Sequence, residues 1–211
     1  GKVLHHNSNQ SDNAEALRLL ERAIELDPGY AHARAWRACV LGQGAVHGWL
    51  KTDIEEIRNQ AKDELTKALA LDQDDADIHR ILAAVSIAHD DLDQAQHHQK
   101  KAHRLNPNYD LVVVQSGELM TWLGRPEEGI ELIKQAMKLN PYHPPRFWGH
   151  LGRAYYSGQH YSKAVSAIGH IAEPDVLQCS FLAASHACLE DTSQATRYVD
   201  AALRQNSDLT I

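Results

Sequence analysis

Histidine is the residue type that most suggests chemistry here, because the 211-residue sequence contains 14 of them. Imidazole is the commonest metal ligand in proteins, so a pair such as His97-His98 suggests a metal site. Consecutive residues of a helix point in different directions, however, and cannot both reach one ion. The sequence also lacks the His-Glu-x-x-His motif and the clustered cysteines of zinc sites. We therefore expect solvated helix faces, with no metal and no cofactor.

A run of aspartates suggests calcium, since Asp72, Asp74, Asp75 and Asp77 alternate as in a calcium-binding loop. Such a loop needs a glycine at its sixth position and a glutamate at its twelfth. Counted from Asp72, these positions hold Asp77 and Ala83. We expect a turn instead, with Asp75 as the N-cap of a helix that begins near Ala76.

No arrangement of residues points to catalysis or to nucleotide binding. The glycine-rich segment Gly42-Gln43-Gly44 is followed by no Gly-Lys-Ser/Thr sequence, which a phosphate-binding loop requires. The sequence has three widely spaced cysteines, Cys39, Cys179 and Cys188. An odd number without close spacing argues against a disulfide framework, so we expect a reducing compartment. We predict that this chain is not an enzyme.

The composition is that of a folded, soluble protein, with 43% hydrophobic residues and a formal net charge of -7. A negative chain offers no field for collecting phosphates, so nucleic acid is not an expected partner. No apolar stretch approaches the roughly 20 residues that span a bilayer. We predict a cytoplasmic protein without membrane contact.

The elements that must position any site are helices, because a small residue recurs in a pattern of helical spacing. It stands at Ala16, Ala61, Ala95, Gly129, Ala164 and Ala195, at intervals of 45, 34, 34, 35 and 31 residues. Three of these helices close with the same phrase, in which a proline prevents continuation: Leu26-Asp27-Pro28, Leu105-Asn106-Pro107 and Leu139-Asn140-Pro141. We expect Asp12 or Asn13 to cap a helix beginning near Ala14.

A second helix precedes each small-residue helix, and one repeat shows it clearly, with Trp148, Leu151, Gly152, Tyr155 and Tyr156 before Tyr161 and Ala164. This spacing resembles the tetratricopeptide repeat, or TPR. The resemblance implies an all-α, right-handed superhelical solenoid of antiparallel helix pairs, with about five to six repeats in a single domain, 1–211. The expected repeats are 1–30 (truncated), 31–75, 76–109, 110–143, 144–175 and 176–211. The second exceeds the 34-residue period by 11 residues, so we expect a longer helix or an ordered loop around Gly42–Trp49.

Several phrases suggest a narrower relation. Gly124-Arg125-Pro126, Leu139-Asn140-Pro141 and Gly152-Arg153-Ala154-Tyr155-Tyr156 resemble the C-terminal TPR region of bacterial class III adenylate/guanylate cyclases. The resemblance implies a regulatory or docking region that follows a cyclase domain in a longer chain. No residue here matches a cyclase active site, so none is carried over.

The TPR resemblance also implies a binding surface, because the first helix of each pair lines a concave groove in such proteins. The groove positions fall on Asp77, Arg80, Gln115, Glu118, Thr121, Trp122, Arg146, His150, Arg153 and Tyr156. Arginine and aromatic side chains are the types that anchor protein partners. Trp122 and Tyr156 are equally compatible with packing between repeats.

The expected function is a protein-interaction scaffold. Its groove is charged in both signs, which predicts a peptide or domain of mixed polarity as ligand, from another protein or from the same chain. Two alternatives stay open: a regulatory or dimerising region of a nucleotide cyclase, and a small-ligand sensor. A homodimer is also compatible with the sequence, since a truncated first repeat leaves an apolar helix face uncovered.

Overall fold

The computed structural model describes residues 1–206, which form twelve α-helices and no strand. The all-α prediction and the division into helix pairs are confirmed. The last five residues of the repeat expected at 176–211 lie outside the described residues. Within the described part of the chain, no helix combines the length and apolar character that crossing a bilayer requires.

Contacts divide the chain into two compact units, Gly1–Pro107 and Asn108–Ile211, which we describe separately as unit 1 and unit 2. The helices of unit 1 are α1 (Lys2–His6), α2 (Gln10–Leu26), α3 (Ala31–Val46), α4 (Ile54–Leu71), α5 (Ala76–Ala88) and α6 (Leu92–Leu105). Those of unit 2 are α7 (Asp110–Trp122), α8 (Pro126–Leu139), α9 (Arg146–Ser157), α10 (Tyr161–Ile168), α11 (Val176–Cys188) and α12 (Thr192–Gln205).

The helix ends follow the sequence signals with one exception. α2, α6 and α8 end at the leucine of the Leu-Asp/Asn-Pro phrase, as predicted. The Asp75 side chain caps α5 by accepting from the backbone N–H groups of Asp77 and Ile78, also as predicted.

The exception is the start of α2, where the expected cap at Asp12 or Asn13 is wrong. α2 begins at Gln10, and the side chain of Asn9 caps it by accepting from the N–H of Asp12. Asn13 is 1% exposed, and its amide donates to the carbonyl of Val40 at 3.0 Å. A residue type common at caps thus serves here as a buried link between α2 and α3, because its neighbour across the contact offers an acceptor.

The two helices of every pair are joined by a turn that contains one residue in the left-handed region. These residues are Ser8, Gly48, Asp90, Gly124, Gln159 and Glu190, with φ between 51° and 74°. Five of the turns are three residues long. Only glycine adopts this conformation without steric strain, yet four of these six residues are not glycine. The geometry of the helix pair therefore imposes the positive φ, whatever the residue type.

The extra residues of the second pair are distributed along its length. Relative to α5 and α6, α3 is longer by three residues and α4 by four, and the turn at 47–53 is longer by four than the turn at 89–91. Each helix therefore gains about one turn of 3.6 residues. Leu50 returns to pack on α3, where a Cβ added to Gly44 would lie 2.8 Å from Leu50 Cγ.

Small residues allow the paired helices to approach each other at backbone distance. A Cβ added to Gly129 on α8 would lie 2.7 Å from the carbonyl oxygen of Gly117 on α7 and 2.6 Å from Thr121 Oγ1. At Gly129, the repeated small residue found in the sequence therefore marks the crossing point of two helices. Large side chains such as Ile133, which is 0% exposed, fill the space beside it.

Replacing Gly129 by alanine is expected to lower the free energy of unfolding of unit 2 by about 1–3 kcal/mol, because the added methyl meets backbone atoms that cannot move away. Gly42 on α3 is the matched control, since an added Cβ there meets nothing within 4 Å. Gly42→Ala should be neutral or stabilising by up to about 1 kcal/mol. Urea unfolding followed by circular dichroism measures both variants, and equal midpoints for the two would contradict the close approach.

Candidate functional site

The groove positions predicted in unit 2 lie on two neighbouring first helices. Gln115, Glu118 and Trp122 are spaced at i, i+3 and i+7 on α7, which places them on one face of that helix. His150 and Arg153 are spaced at i and i+3 on α9. We call these five residues the α7–α9 face. The buried segment Leu111, Val112, Val113 and Val114 anchors the start of α7 in the core of unit 2.

The carboxylate of Glu118 is the centre of the α7–α9 face. Arg153 Nη1 donates to Glu118 Oε1 at 2.9 Å, and Gln115 Nε2 donates to Oε2 at 2.6 Å. His150 Nδ1 lies 3.4 Å from Oε1. The carboxylate therefore ties α7 to α9 through charge-assisted contacts, which are stronger than those between neutral groups.

The protonation state of Glu118 follows from these neighbours. Burial alone would raise the pKa of its carboxyl group, since a charge is poorly solvated in the interior. The opposing effects of His150 and Arg153 are together larger, and the pKa of Glu118 lies far below its ordinary value of 4.5. Glu118 is thus ionised throughout the neutral range and available as a permanent acceptor.

Arg153 is held between two aromatic rings. Its guanidinium carbon lies 5.2 Å from the centre of the Trp122 ring and 5.8 Å from that of Phe181 on α11. These are cation–π distances. Trp122 nevertheless remains 46% exposed, so one large aromatic surface stays open beside the fixed cation.

Phe181 was missed by the sequence analysis, although a signal for it existed. It occupies the sixth position of the repeat that begins at 176, which is the position that Gln115 holds in the repeat that begins at 110. The groove positions were carried over to three repeats only. Extending the same rule to the last repeat would have identified Phe181.

The remaining predicted residues of unit 2 lie elsewhere. Thr121 is 7% exposed and donates to the carbonyl of Gly117 at 3.0 Å, at the contact with α8. Tyr156 packs against Tyr161 and Phe181, with ring centres 5.6 and 5.2 Å away. Arg146 is half-buried at the start of α9. The structure therefore brings Gln115, Glu118, Trp122, His150 and Arg153 together and leaves these three outside the Glu118 contacts.

In unit 1, the predicted residues Asp77 and Arg80 form a second buried ion pair. Arg80 Nε donates to Asp77 Oδ1 at 2.9 Å, and the two residues are 4% and 3% exposed respectively. Asp77 Oδ2 also accepts from the indole Nε1 of Trp36 at 3.2 Å. The guanidinium of Arg80 lies 5.2 Å from the Trp36 ring centre, the same distance as Arg153 from Trp122.

The Trp36 ring, which the sequence analysis did not single out, is 1% exposed. His5 and His6 of α1 meet it edge-on, and Lys2 Nζ lies 5.2 Å from its centre. α1 therefore covers the Trp36 ring in unit 1, whereas the Trp122 ring in unit 2 remains exposed. Asp77 and Arg80 present almost no surface to a ligand.

A histidine links α3 to the start of α5 beside this cluster. His32 Nδ1 lies 2.7 Å from Asp75 Oδ2, and His32 Nε2 lies 3.7 Å from Asp77 Oδ2. The hydrogen bond to Asp75 raises the pKa of His32 above its ordinary value, against the opposing effect of burial. The protonated form of His32 is therefore the one that the folded state favours.

The described residues contain no group of three or more histidine, cysteine, aspartate or glutamate side chains that could hold a metal ion. Asp72, Asp74 and Asp75 belong to a turn, in which Asp72 accepts from the N–H of Asp74 and Asp75 caps α5. Burial raises the pKa of the Cys179 thiol, which disfavours the reactive thiolate.

The low pKa of Glu118 predicts how unit 2 responds to acid. A carboxyl group whose pKa is depressed by folding contributes stability above its ordinary pKa, and that contribution is lost as the pH falls through the folded-state value. Glu118→Gln should destabilise the chain by about 1–3 kcal/mol at pH 7, because Arg153 loses its counter-charge, and should reduce the loss of stability below pH 4.5. Urea midpoints from pH 7 to pH 3 measure this.

The control for that experiment is Glu131→Gln, since the side chain of Glu131 is 77% exposed and pairs only with Lys134 at 3.3 Å. Its acid response should equal that of the unmodified chain. If Glu118→Gln and Glu131→Gln behave alike, the Glu118 contacts do not stabilise unit 2.

Comparison with known proteins places the fold. No protein-family model and no curated protein matches the sequence. Among solved structures, the chain is similar to the APC/C hetero-tetramer Cut9-Hcn1, with a TM-score of 0.74 and 17% identity over 94% of this chain and 38% of that one. The chain thus spans well under half the length of this relative.

Two further structures are matched over nearly their whole length. The thermophilic TPR protein TTC0263 of Thermus thermophilus has a TM-score of 0.60 and 20% identity, over 92% of each chain. The TPR protein YrrB has a TM-score of 0.50 and 18% identity, over 90% of this chain and 93% of that one. At these identities the likeness concerns the fold alone, and the chain has the helix-pair fold of TPR proteins.

Proposed function

We propose that this chain is a protein-interaction scaffold and that the α7–α9 face of unit 2 binds a peptide segment of its partner. Trp122 and Arg153 are the anchors of this site. Glu118 binds the guanidinium of Arg153, and Gln115 and His150 contact the Glu118 carboxylate in turn. Tyr156 and Phe181 support the same cluster from α9 and α11.

The observation that carries this proposal is the exposure of Trp122 beside a fixed cation. The side chain of Arg153 is 14% exposed, and its charge is already bound by Glu118 and flanked by two rings. A ligand therefore meets a site in which the side-chain entropy has been lost before binding. Tryptophan and arginine in such settings contribute most of the binding energy at protein interfaces.

Similarity of fold adds support without identifying the ligand. YrrB is described as a TPR protein with an unusual peptide-binding site, and its fold matches 90% of this chain. A peptide ligand is therefore compatible with a surface of this type.

The chemistry of the face defines the kind of ligand. The open ring of Trp122 suits an apolar side chain or a proline, which buries area against the indole. The neighbouring guanidinium of Arg153, whose side chain is 14% exposed, suits a backbone carbonyl or a side-chain acceptor. We propose a segment of mixed polarity, with one apolar side chain on Trp122 and an acceptor next to it.

Trp122→Ala tests the proposal on a ligand selected for the purpose. A displayed library of twelve-residue peptides is selected on the unmodified chain, and the Kd of the best peptide is measured by fluorescence anisotropy. Loss of an anchoring tryptophan should weaken binding at least about tenfold, which corresponds to about 1.4 kcal/mol. Combining Trp122→Ala with Arg153→Glu should abolish binding while the helical circular dichroism is retained.

The control is Tyr142→Ala, which removes an aromatic ring of unit 2 that is 96% exposed and lies outside the face. Its affinity for the selected peptide should be unchanged. Peptides that bind Trp122→Ala as tightly as the unmodified chain would contradict the proposed site. Unfolding of the double variant would instead show that the two side chains are packing residues.

The bound segment can belong to the same chain or to another one. Binding between chains increases with protein concentration, whereas binding within one chain does not depend on it. In the cyclase-like alternative, the scaffold is a regulatory or dimerising arm and the bound segment belongs to the same protein. Light scattering coupled to size exclusion over a tenfold concentration range distinguishes self-association from a monomer. The same measurement on Trp122→Ala shows whether the α7–α9 face takes part.

A further inference from the structure

The rings of two histidines of unit 1 meet between the helices of one pair, tilted by 32° with their centres 5.3 Å apart. His79 on α5 and His98 on α6 approach with their Nδ1 atoms 3.0 Å apart. His79 is 5% exposed, and His98 is half-buried. Neither residue belongs to the surface proposed for ligand binding.

The hydrogen-bond partners fix the protons of this pair. His79 Nε2 lies 3.0 Å from the carbonyl oxygen of Gln73, which accepts only, so Nε2 carries a hydrogen and donates. In neutral His79 the Nδ1 atom is then an acceptor. The Nδ1–H group of neutral His98 donates to it, and the Nε2 atom of His98 is left without a proton.

The contact has room for one additional proton but not for two. A first added proton occupies Nε2 of His98, and the N–H···N hydrogen bond between the two Nδ1 atoms persists. A second added proton gives both Nδ1 atoms a hydrogen. Two N–H donors would then face each other at 3.0 Å between two positive charges, and the contact must open.

The charges around the pair do not favour the doubly protonated state. His97 and Lys101 on α6 add positive charge, whereas Asp74 in the turn before α5 is engaged by Lys101 at 2.6 Å. Burial lowers the pKa of both His79 and His98, and the neighbouring positive charges act in the same direction. Both rings are therefore predominantly neutral in the folded chain at pH 7.

We propose that the His79–His98 pair is an acid-sensitive lock that joins α5 to α6 and fixes the turn at Gln73. The lock is closed when the pair carries at most one added proton, and it opens when the second one binds. Because the folded state favours the neutral rings, their contribution to stability is present above the ordinary histidine pKa of 6.5 and is lost as the pH falls below it.

Nuclear magnetic resonance of the histidine rings in the full chain tests the lock directly. Between pH 8 and pH 4, His79 and His98 should titrate together in two separate steps, as coupled groups do, with the lower step well below 6.5. Amide hydrogen exchange in α5 and α6, corrected for its intrinsic pH dependence, should accelerate about tenfold across the lower step, the effect of a one-unit shift in pKa.

His98→Gln provides the matched variant, because an amide still hydrogen-bonds His79 in either orientation but does not titrate. The acid-induced acceleration of exchange should fall below about threefold. His103→Gln removes an exposed histidine of α6 outside the pair and should retain the full acid response.

Two results would overturn the proposal. One is titration of His79 and His98 as independent groups near pH 6.5 in the unmodified chain, a measurement that requires no variant. The other is a folded His98→Gln chain that opens in acid as readily as the unmodified one.

Discussion

The close approach of the two helices within each pair is the constraint on which the rest of this structure depends. At Gly117 and Gly129 the backbones of α7 and α8 are too near for even one additional methyl group. Such contact fixes where the helices cross, and the larger side chains then pack around the crossing point. The first helix of the pair is thereby held with one side toward its partner, and the side chains on its remaining surface are free to form a site.

The two units use the same polar arrangement with different outcomes. Each has a carboxylate paired with an arginine whose guanidinium stacks on a tryptophan at 5.2 Å. In unit 1 the Asp77 network is closed over by α1, and Trp36 belongs to the core. In the described part of unit 2 no corresponding helix covers the tryptophan beside the Glu118 network, and Trp122 remains 46% exposed. One interaction thus serves packing in unit 1 and is available for recognition in unit 2.

Sequence was a good guide wherever one residue determines the local conformation. The proline phrases located the ends of α2, α6 and α8, and Asp75 was recognised as a cap. The cap prediction failed at Asn13, because an asparagine can either cap a helix or donate to another one. Which role it takes depends on the carbonyl of Val40, which α3 supplies. The candidate surface was predicted from the resemblance to TPR proteins, whose groove positions fall on Glu118 and Trp122 of α7. The resemblance could not predict that α1 buries Asp77 and Arg80, nor that Phe181 contacts Arg153.

The elongated second pair shows how a repeat chain accepts a large insertion. Since each helix grew by about one whole turn, the residues on either side of the insertion keep the same rotational phase around the helix axis. The core positions of α3 and α4, such as Trp36 and Leu65, therefore still point inward. Each helix is thus longer by about 5 Å, the rise of one helical turn, and the turn at 47–53 forms the tip of the pair. The stacked rings of His47 and Trp49, 4.4 Å apart, lie at this tip. Because Leu50 in this turn packs against the core of unit 1, the sequence of the tip can vary freely only at exposed positions such as Lys51 and Thr52.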